Sequence, residues 1–307
     1  MTNLHNTQLI TATVAQSIQP LLTEVASFKR FKGAYNLVGS TERIDKSGKA
    51  YWIIKLSDIS TSINVYCFNM NEFIEQLTCN SVVHIEATLK TVDGHQYVRC
   101  AFLQILQKKL SSQQLSINSL PSCYCPAPEK LLQLKVLVDS LSSPHLTRFI
   151  SDVLVGSDVG INYLQCPASL RHHHNFTGGL LTHSVDVANA LITENQFNGA
   201  ERDIAIVAAL IHDIGKTRTL GANGKRTHLG TLVDHEELTL EICAKAFSRL
   251  DKFEPQSALM LRHILTCASS GNRYGYEAIT PIASKLQMAD NASASAHFAT
   301  NMLAQIA

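Results

Sequence analysis

The sequence has little net charge, no clustered cysteines and no long hydrophobic run, and each absence excludes a class of protein. Its 26 Lys and Arg nearly balance 25 Asp and Glu, so bulk charge does not indicate a polyanionic partner. No stretch reaches the roughly 18 to 20 apolar residues that span a bilayer. The N-terminus also lacks the basic start and apolar block of a secretory signal. We therefore expect a cytoplasmic protein that does not interact with membranes.

The eight cysteines form neither a disulfide framework nor a zinc-binding pattern. The close pair, Cys123 and Cys125, has one intervening residue, whereas zinc-binding pairs usually have about two to four. We interpret the cysteines as reduced thiols that mostly pack in the core.

Four segments of different patterning divide the chain. Residues 1–28 are predicted to form an N-terminal helix. Residues 29–108 contain short runs rich in Val, Ile, Tyr and Phe between turn sequences, which is typical of a small β-barrel. Residues 109–130, rich in Ser, Gln and Pro, are predicted to be a linker. Residues 131–307 have apolar residues at helical spacing. The predicted fold class is multi-domain α+β, a barrel followed by an all-α helical bundle.

The predicted barrel resembles an OB-fold in its strand spacing. OB-folds bind single strands by stacking bases on aromatic side chains, while basic residues follow the phosphates. The candidate nucleic-acid-binding residues are two lysines of a basic turn and four aromatic residues: Lys46, Lys49, Tyr51, Trp52, Tyr66 and Phe68. Because Tyr51 and Trp52 are adjacent, they point to opposite faces of a strand, and only one of them can line the groove. Each aromatic side chain could instead belong to the core.

A His-Asp doublet follows the most apolar helix of the predicted bundle. Residues 203–211 (DIAIVAALI) are almost wholly apolar and lead directly into His212 and Asp213. An unpaired buried carboxylate costs several kcal/mol, and a cation between the two side chains would remove that cost. Imidazole and carboxylate are ligands that manganese, iron, nickel and zinc accept.

Two further residues extend the doublet to a set of four on three helices. His183 follows a Gly-Gly pair that allows close backbone approach, and Asp290 lies in a helix rich in small residues. Any one of these side chains alone would more often be an ordinary structural residue. The order His, His-Asp, Asp at helical positions predicts a metal site with positions left for water and substrate.

This order of residues resembles the H…HD…D signature of the HD superfamily of metal-dependent phosphohydrolases. The segment CPASLRHHHNFTGGLLTHSVDVA, behind a barrel, is similar to the YhaM-type 3′-to-5′ exoribonucleases, and its HHH…GGLL…HS run is also similar to the HD-like domain of relaxases. The resemblance implies that His183, His212, Asp213 and Asp290 bind one divalent ion, which could be manganese, iron, nickel, zinc or magnesium.

The resemblance also implies a second ion, bridged by Asp213 and held with His235 and His263. YhaM-type proteins have a His-His-Gly run downstream of His263, where this chain has CASSG at 267–271. One ion or two therefore remain open.

Three more side chains are candidates for catalysis beside Asp213. Lys216 is predicted either to hold a phosphate oxygen or to be a solvated lysine at a helix end. His173 and His174 would contact the phosphate or protonate the leaving group, or they are ordinary loop residues.

The leading hypothesis is a metal-dependent 3′-to-5′ exonuclease whose barrel holds single-stranded RNA or DNA. A first alternative is an HD-type nucleotide phosphohydrolase in which the barrel serves regulation or assembly. A second is a nucleic-acid-binding accessory protein with a weakened HD site. The sequence leaves the preference for RNA or DNA, and homo-oligomer formation, open.

Overall fold

The computed structural model describes most of the chain. The described residues are 19–68, 80–106, 115–156, 159–171, 174–194, 196–268 and 276–306, with side chains described as far as residue 293. They form a barrel followed by a helical bundle, which confirms the predicted fold class.

Five strands close the barrel. They are β1 (Arg30–Ile44), β2 (Ala50–Ser57), β3 (Ser62–Phe68), β4 (Ser81–Val92) and β5 (His95–Ile105). Their order around the barrel is β1-β2-β3-β5-β4, and β3 and β5 form its parallel pair. A closed five-stranded barrel with this order has the arrangement of an OB-fold.

Alternation along the strands separates a packed barrel interior from an outer face. On β3, Val65 and Cys67 are buried, whereas Tyr66 and Phe68 between and beyond them are partly exposed. The fully buried side chains of the other strands include Tyr35, Leu37, Ile54, Leu56, Val83 and Ile85. The period of two, with apolar residues inward, therefore positions the aromatic side chains of the outer face.

Residues 19–28 do not continue the predicted N-terminal helix. The Gln19 side chain pairs with both backbone polar groups of Ala34, at 2.7 and 2.8 Å. The Leu22 N–H donates to the Asp58 carboxylate at 2.7 Å. The helical structure here is one 3-10 turn, Val25–Ser27. The helix prediction is wrong for this segment because tertiary hydrogen bonds hold it on the barrel; residues 1–18 lie outside the described part.

The predicted linker is packed where it is described. Ile117 and Leu120 are each 2% exposed, and the Ser119 hydroxyl donates to the Ala34 carbonyl at 3.1 Å. The Ile59 N–H donates to the Asn118 carbonyl at 2.9 Å. Residues 115–127 of the predicted linker do connect barrel and bundle, and two apolar side chains anchor them there.

The bundle begins within the predicted linker boundary, at Pro128. Its helices are α1 (Pro128–Asp139), α2 (Pro144–Leu154), α3 (Gly160–Gln165), α4 (Gly179–Glu194), α5 (Gly199–Ile211), α6 (Lys216–Thr219), α7 (His235–Phe253), α8 (Pro255–Thr266) and α9 (Pro281–Ile306). Helix α5 is buried from Asp203 to Ile211 and packs against α4, α8 and α9. Within the described residues, no helix is long and apolar enough to cross a membrane.

Candidate metal centre

Three helices bring the four predicted ligands together. His183 lies one turn into α4 and is fully buried, His212 and Asp213 follow the end of α5, and Asp290 lies on α9. The His183 Nε2 lies 3.0 Å from Asp290 Oδ1 and 3.6 Å from Asp213 Oδ2. The His212 Nε2 lies 3.4 Å from Asp213 Oδ2 and 3.8 Å from Asp290 Oδ1. The ligand atoms of His183, His212 and Asp290 therefore lie within 4.8 Å of one another, with the Asp213 carboxylate beside both imidazoles.

Hydrogen bonds at the outer ring nitrogens orient both imidazoles. The His212 Nδ1 lies 2.8 Å from the Ala209 carbonyl, which can only accept, so Nδ1 carries a proton. The His183 Nδ1 lies 3.2 Å from the Ser293 hydroxyl. Such partners on the far nitrogen are typical of metal-binding histidines, because they turn Nε2 toward the ion.

Three of the distances between donor atoms, 3.0, 3.3 and 3.4 Å, match the spacing of ligands around a divalent ion. The Nε2 atoms of His183 and His212 are 3.3 Å apart. With metal–ligand bonds near 2.1 Å, neighbouring ligands lie about 3.0 to 3.4 Å from one another. Neutral His212 directs an Nε2 lone pair at the His183 Nε2, so a proton on one of these nitrogens, or a cation, has to lie between them. The residues present therefore fit a divalent metal ion.

The charged side chains at the centre shift one another's pKa values. Burial opposes protonation of His212, but the carboxylates of Asp213 and Asp290 outweigh it and raise the His212 pKa to about 10. Burial likewise raises the pKa of Asp213, yet Lys216 and His212 reverse that effect and hold the Asp213 pKa well below its usual range. The Asp290 pKa is lowered by the two histidines against the same penalty. The carboxylates stay ionised at neutral pH and attract a cation.

His235 faces the opposite oxygen of Asp213. Its Nε2 lies 3.3 Å from Asp213 Oδ1, and its Nδ1 contacts Asp234 Oδ1 at 2.5 Å. The pKa of His235 is raised, because hydrogen bonding and charge from Asp213 exceed the burial penalty. This close approach depends on Gly215, where a Cβ would lie 1.8 Å from the His235 carbonyl oxygen. The glycine that follows the doublet by two residues is thus a packing requirement.

Lys216 does not extend into solvent. Its Nζ donates to Asp213 Oδ2 at 2.6 Å, and the residue begins the short helix α6. The prediction of a solvated lysine at a helix end is wrong, because the carboxylate holds the ammonium beside the centre. Contact with a phosphate oxygen stays a prediction.

His174 lies beside the centre, and His173 lies outside the described residues. The His174 ring centroid is 5.4 Å from that of His183 and 5.8 Å from that of Phe176. Its backbone has a φ of 51°, in the left-handed region, and a Cβ on Gly179 would lie 2.0 Å from its carbonyl oxygen. The Gly-Gly pair therefore lets the start of α4 pack against this loop.

His263 is not joined to the centre by direct contact. In the described part of the chain, no hydrogen bond or ion pair links it to Asp213 or His235, and its Nε2 is buried without a hydrogen-bond partner. The structure therefore groups Asp213 with His235, and the predicted role of His263 as a ligand stays a prediction.

An aromatic cluster covers the outer face of β2, β3 and β5. Tyr51 stacks on Phe68 at 5.3 Å and on Tyr66 at 6.4 Å, and Tyr97 meets Tyr66 edge-on at 5.5 Å. Arg99 lies over the Phe68 ring at 5.5 Å. We call these five residues the barrel face. Tyr97 and Arg99 were not among the predicted residues, although their alternation with the buried Val98 along β5 is a signal for this face.

Trp52 belongs to the other side of strand β2. It packs against the barrel core, and its indole Nε1 is buried. Its assignment as a nucleic-acid-binding residue is wrong, because the strand period turns it away from Tyr51. Lys49 lies at the end of the β1–β2 turn with Lys46 within it, and both are exposed.

Residues 180–295 match the HD domain family. The chain is similar to the 3′-5′ exoribonuclease YhaM of Bacillus subtilis, with 24% identity over 74% of this chain and 72% of that protein. It is likewise similar to YhaM of Bacillus pumilus, with 21% identity over 77% of this chain and 75% of the relative. Both matches extend beyond the HD domain in length.

Among solved structures, the mitochondrial single-stranded DNA binding protein Rim1 of S. cerevisiae has a TM-score of 0.23 and 14% identity. The match covers 25% of this chain and 92% of Rim1. The second OB-fold domain of replication protein A from Methanococcus maripaludis has a TM-score of 0.21 and 15% identity, over 26% of this chain and 87% of that domain. The OB-fold assignment rests on the strand order. The chain thus carries an HD domain in its helical half, behind an OB-fold-like barrel, and resembles the YhaM exoribonucleases.

Proposed function

We propose that this protein is a metal-dependent phosphodiesterase that shortens single-stranded RNA or DNA from the 3′ end. The observation that carries the proposal is the convergence of His183, His212 and Asp290, whose ligand atoms lie within 4.8 Å of one another. The Asp213 carboxylate lies beside them, 3.6 and 3.4 Å from the two imidazole Nε2 atoms. The HD match over residues 180–295 and the similarity to proteins named 3′-5′ exoribonuclease support the reaction class.

The side chains of the centre have separate roles. When bound, a divalent ion of the manganese, iron, nickel, zinc or magnesium type would activate water and neutralise charge on the phosphoryl oxygens. The two histidines, Asp213 and Asp290 would hold it. Lys216, now paired with Asp213, would offer its positive charge to a phosphate oxygen when Asp213 holds an ion.

The proposal also includes a second ion next to Asp213 and His235. The two oxygens of Asp213 face different partners, Oδ2 toward His183 and His212 and Oδ1 toward His235. Asp213 and His235 would therefore hold a second divalent ion. The Asp234 carboxylate accepts from the Nδ1–H of His235 and so orients this ring.

The barrel face would hold the strand. Tyr51, Tyr66, Phe68 and Tyr97 offer partly exposed rings for base stacking, while Arg99 and the β1–β2 turn lysines offer charge for phosphates. The strands of this face and the β1–β2 loop are the parts with which OB-folds generally bind oligonucleotides.

The alternatives make different predictions about the substrate. A nucleotide phosphohydrolase would hydrolyse a mononucleotide and ignore a strand, and an accessory protein would bind a strand without turnover. We would compare, with manganese, the release of product from a single-stranded RNA and from a nucleoside monophosphate. We expect turnover of the RNA, with binding that weakens steeply as salt rises. Turnover of the mononucleotide alone would contradict the proposal.

A further inference from the structure

A partly exposed phenyl ring lies next to the metal centre and has no part in holding an ion. Phe176 is 45% exposed and precedes α4 by three residues. Its ring contacts His174 edge-on, with centroids 5.8 Å apart. The His174 ring in turn lies 5.4 Å from that of His183, the most buried of the proposed ligands. The rings therefore run from the centre to the surface.

The loop that carries this ring is held firmly. His174 is 5% exposed, its backbone is in the left-handed region, and its carbonyl accepts from the Ala168 N–H at 3.0 Å. The Phe176 carbonyl accepts from the Gly179 N–H at 2.9 Å. A segment whose backbone is fixed before binding loses little conformational entropy when one of its side chains stacks on a ligand.

The spacing suits a nucleotide. Phe176 lies two ring contacts of 5 to 6 Å from the ligand His183. A base attached to a phosphate at the centre would extend over a similar distance. Every base has a π-face, so a phenyl ring at this place would recognise a nucleotide without selecting its sequence.

We propose that Phe176 stacks on the base of the nucleotide being removed and so positions its phosphate at the metal centre. This inference rests on the proposed function and adds a nucleobase-binding position to the HD domain, separate from the barrel face. It explains how the centre would favour a nucleic-acid end over a simple phosphate ester.

The test measures kcat/KM, with manganese added, on two single-stranded RNAs. One RNA has its 3′-terminal base and the other lacks it. Because base–aromatic stacking contributes about 1–3 kcal/mol, we expect Phe176→Ala to lower kcat/KM on the intact RNA by about 5- to 150-fold. On the abasic RNA, wild type and Phe176→Ala should differ by less than about twofold. Phe176→Tyr should keep the wild-type rate, and Phe176→Leu, which retains apolar volume without a π-face, should behave like the alanine variant.

A matched control is Phe253→Ala. Phe253 is also an exposed phenyl ring stacked on a histidine, His145, but it ends α7, whose first residue is His235. Over the 19 residues of α7 that places it about 27 Å from the centre. Phe253→Ala should leave kcat/KM unchanged on both the intact and the abasic RNA.

The outcomes separate the two proposals. If wild type degrades RNA and Phe176→Ala loses equal activity on both RNAs, or loses none, the stacking role is refuted and the exonuclease proposal stands. If wild type with manganese releases no nucleotide from either RNA, the proposed function itself fails, and the stacking role fails with it.

Discussion

The Nε2 atoms of His183 and His212 face each other across 3.3 Å at the junction of three helices. In the metal-free protein His212 holds a proton, because the carboxylates of Asp213 and Asp290 outweigh the effect of burial and raise the His212 pKa to about 10. A metal ion and this proton therefore compete for the same place.

Metal binding should release a proton at neutral pH. Because His212 is protonated below about pH 10 in the metal-free state, apparent metal affinity should rise about tenfold per pH unit for each proton released. Titration calorimetry of manganese into metal-free protein, in two buffers of different ionisation enthalpy, measures this release. Identical heats in the two buffers would contradict the assignment of His212 as a ligand.

The same pKa predicts a pH dependence of stability without metal. The His212 pKa is raised in the fold from about 6.5 in the unfolded chain. The contribution of His212 to the free energy of unfolding is therefore complete below about pH 6.5 and is lost as pH rises through about 10. Urea unfolding of metal-free protein from pH 6 to 10 should show this loss, and His212→Gln should flatten it. If His212→Gln lost stability with pH as the wild type does, a different titrating group would cause the loss.

Asp213→Asn should remove turnover and preserve strand binding. Asp213 contacts both imidazoles and Lys216, so its loss should cost more than the about 10- to 100-fold typical of residues behind the ligands. Asp251→Asn is the matched control, because Asp251 pairs with Arg262 near the far end of α7. Fluorescence anisotropy with labelled RNA reports binding. Full turnover by Asp213→Asn would show that the centre is placed wrongly.

Asp234→Asn tests the orientation of His235. The amide still caps α7, but it no longer offers a charged acceptor to His235 Nδ1. We expect activity at limiting manganese to fall by about 10- to 100-fold and to recover in excess metal. A loss that excess metal leaves unchanged would argue against a role for His235 in ion binding.

The barrel face should control affinity and not chemistry. Tyr66→Ala and Phe68→Ala should each weaken binding of a single strand by about 1–3 kcal/mol, at unchanged metal content. Arg99→Ala should reduce the slope of log affinity against log salt concentration by about one. Trp52→Phe, an inward-facing control, should lower the unfolding temperature and leave binding intact. If all four variants bound the strand with equal affinity, the barrel face would not be part of the binding site.

Local sequence signals predicted the elements of the site, whereas tertiary contacts decided the exceptions. The apolar run before His212 is continuous, and the alternation around Tyr66 has a period of two, each over enough residues to specify burial. The pairing of Lys216 with Asp213 and the inward turn of Trp52 depend on partners or register that spacing does not reveal. Phe176 was missed because an isolated aromatic residue in a loop has no period.

The linker shows the same distinction at the level of domains. Its Ser-, Gln- and Pro-rich composition predicts an unstructured segment. Two apolar side chains, Ile117 and Leu120, are nevertheless enough to dock it, with backbone hydrogen bonds to Ile59 and Asp58 of the barrel. Composition averages over the segment and does not register two well-placed anchors.

The most direct measurement is hydrolysis of a 5′-labelled single-stranded RNA, and its DNA counterpart, with added manganese and with chelator. The proposed function predicts a ladder that shortens from the 3′ end with manganese, disappears with chelator and is absent for Asp213→Asn. Strands that stay intact in every lane, with protein shown to contain metal, would contradict it.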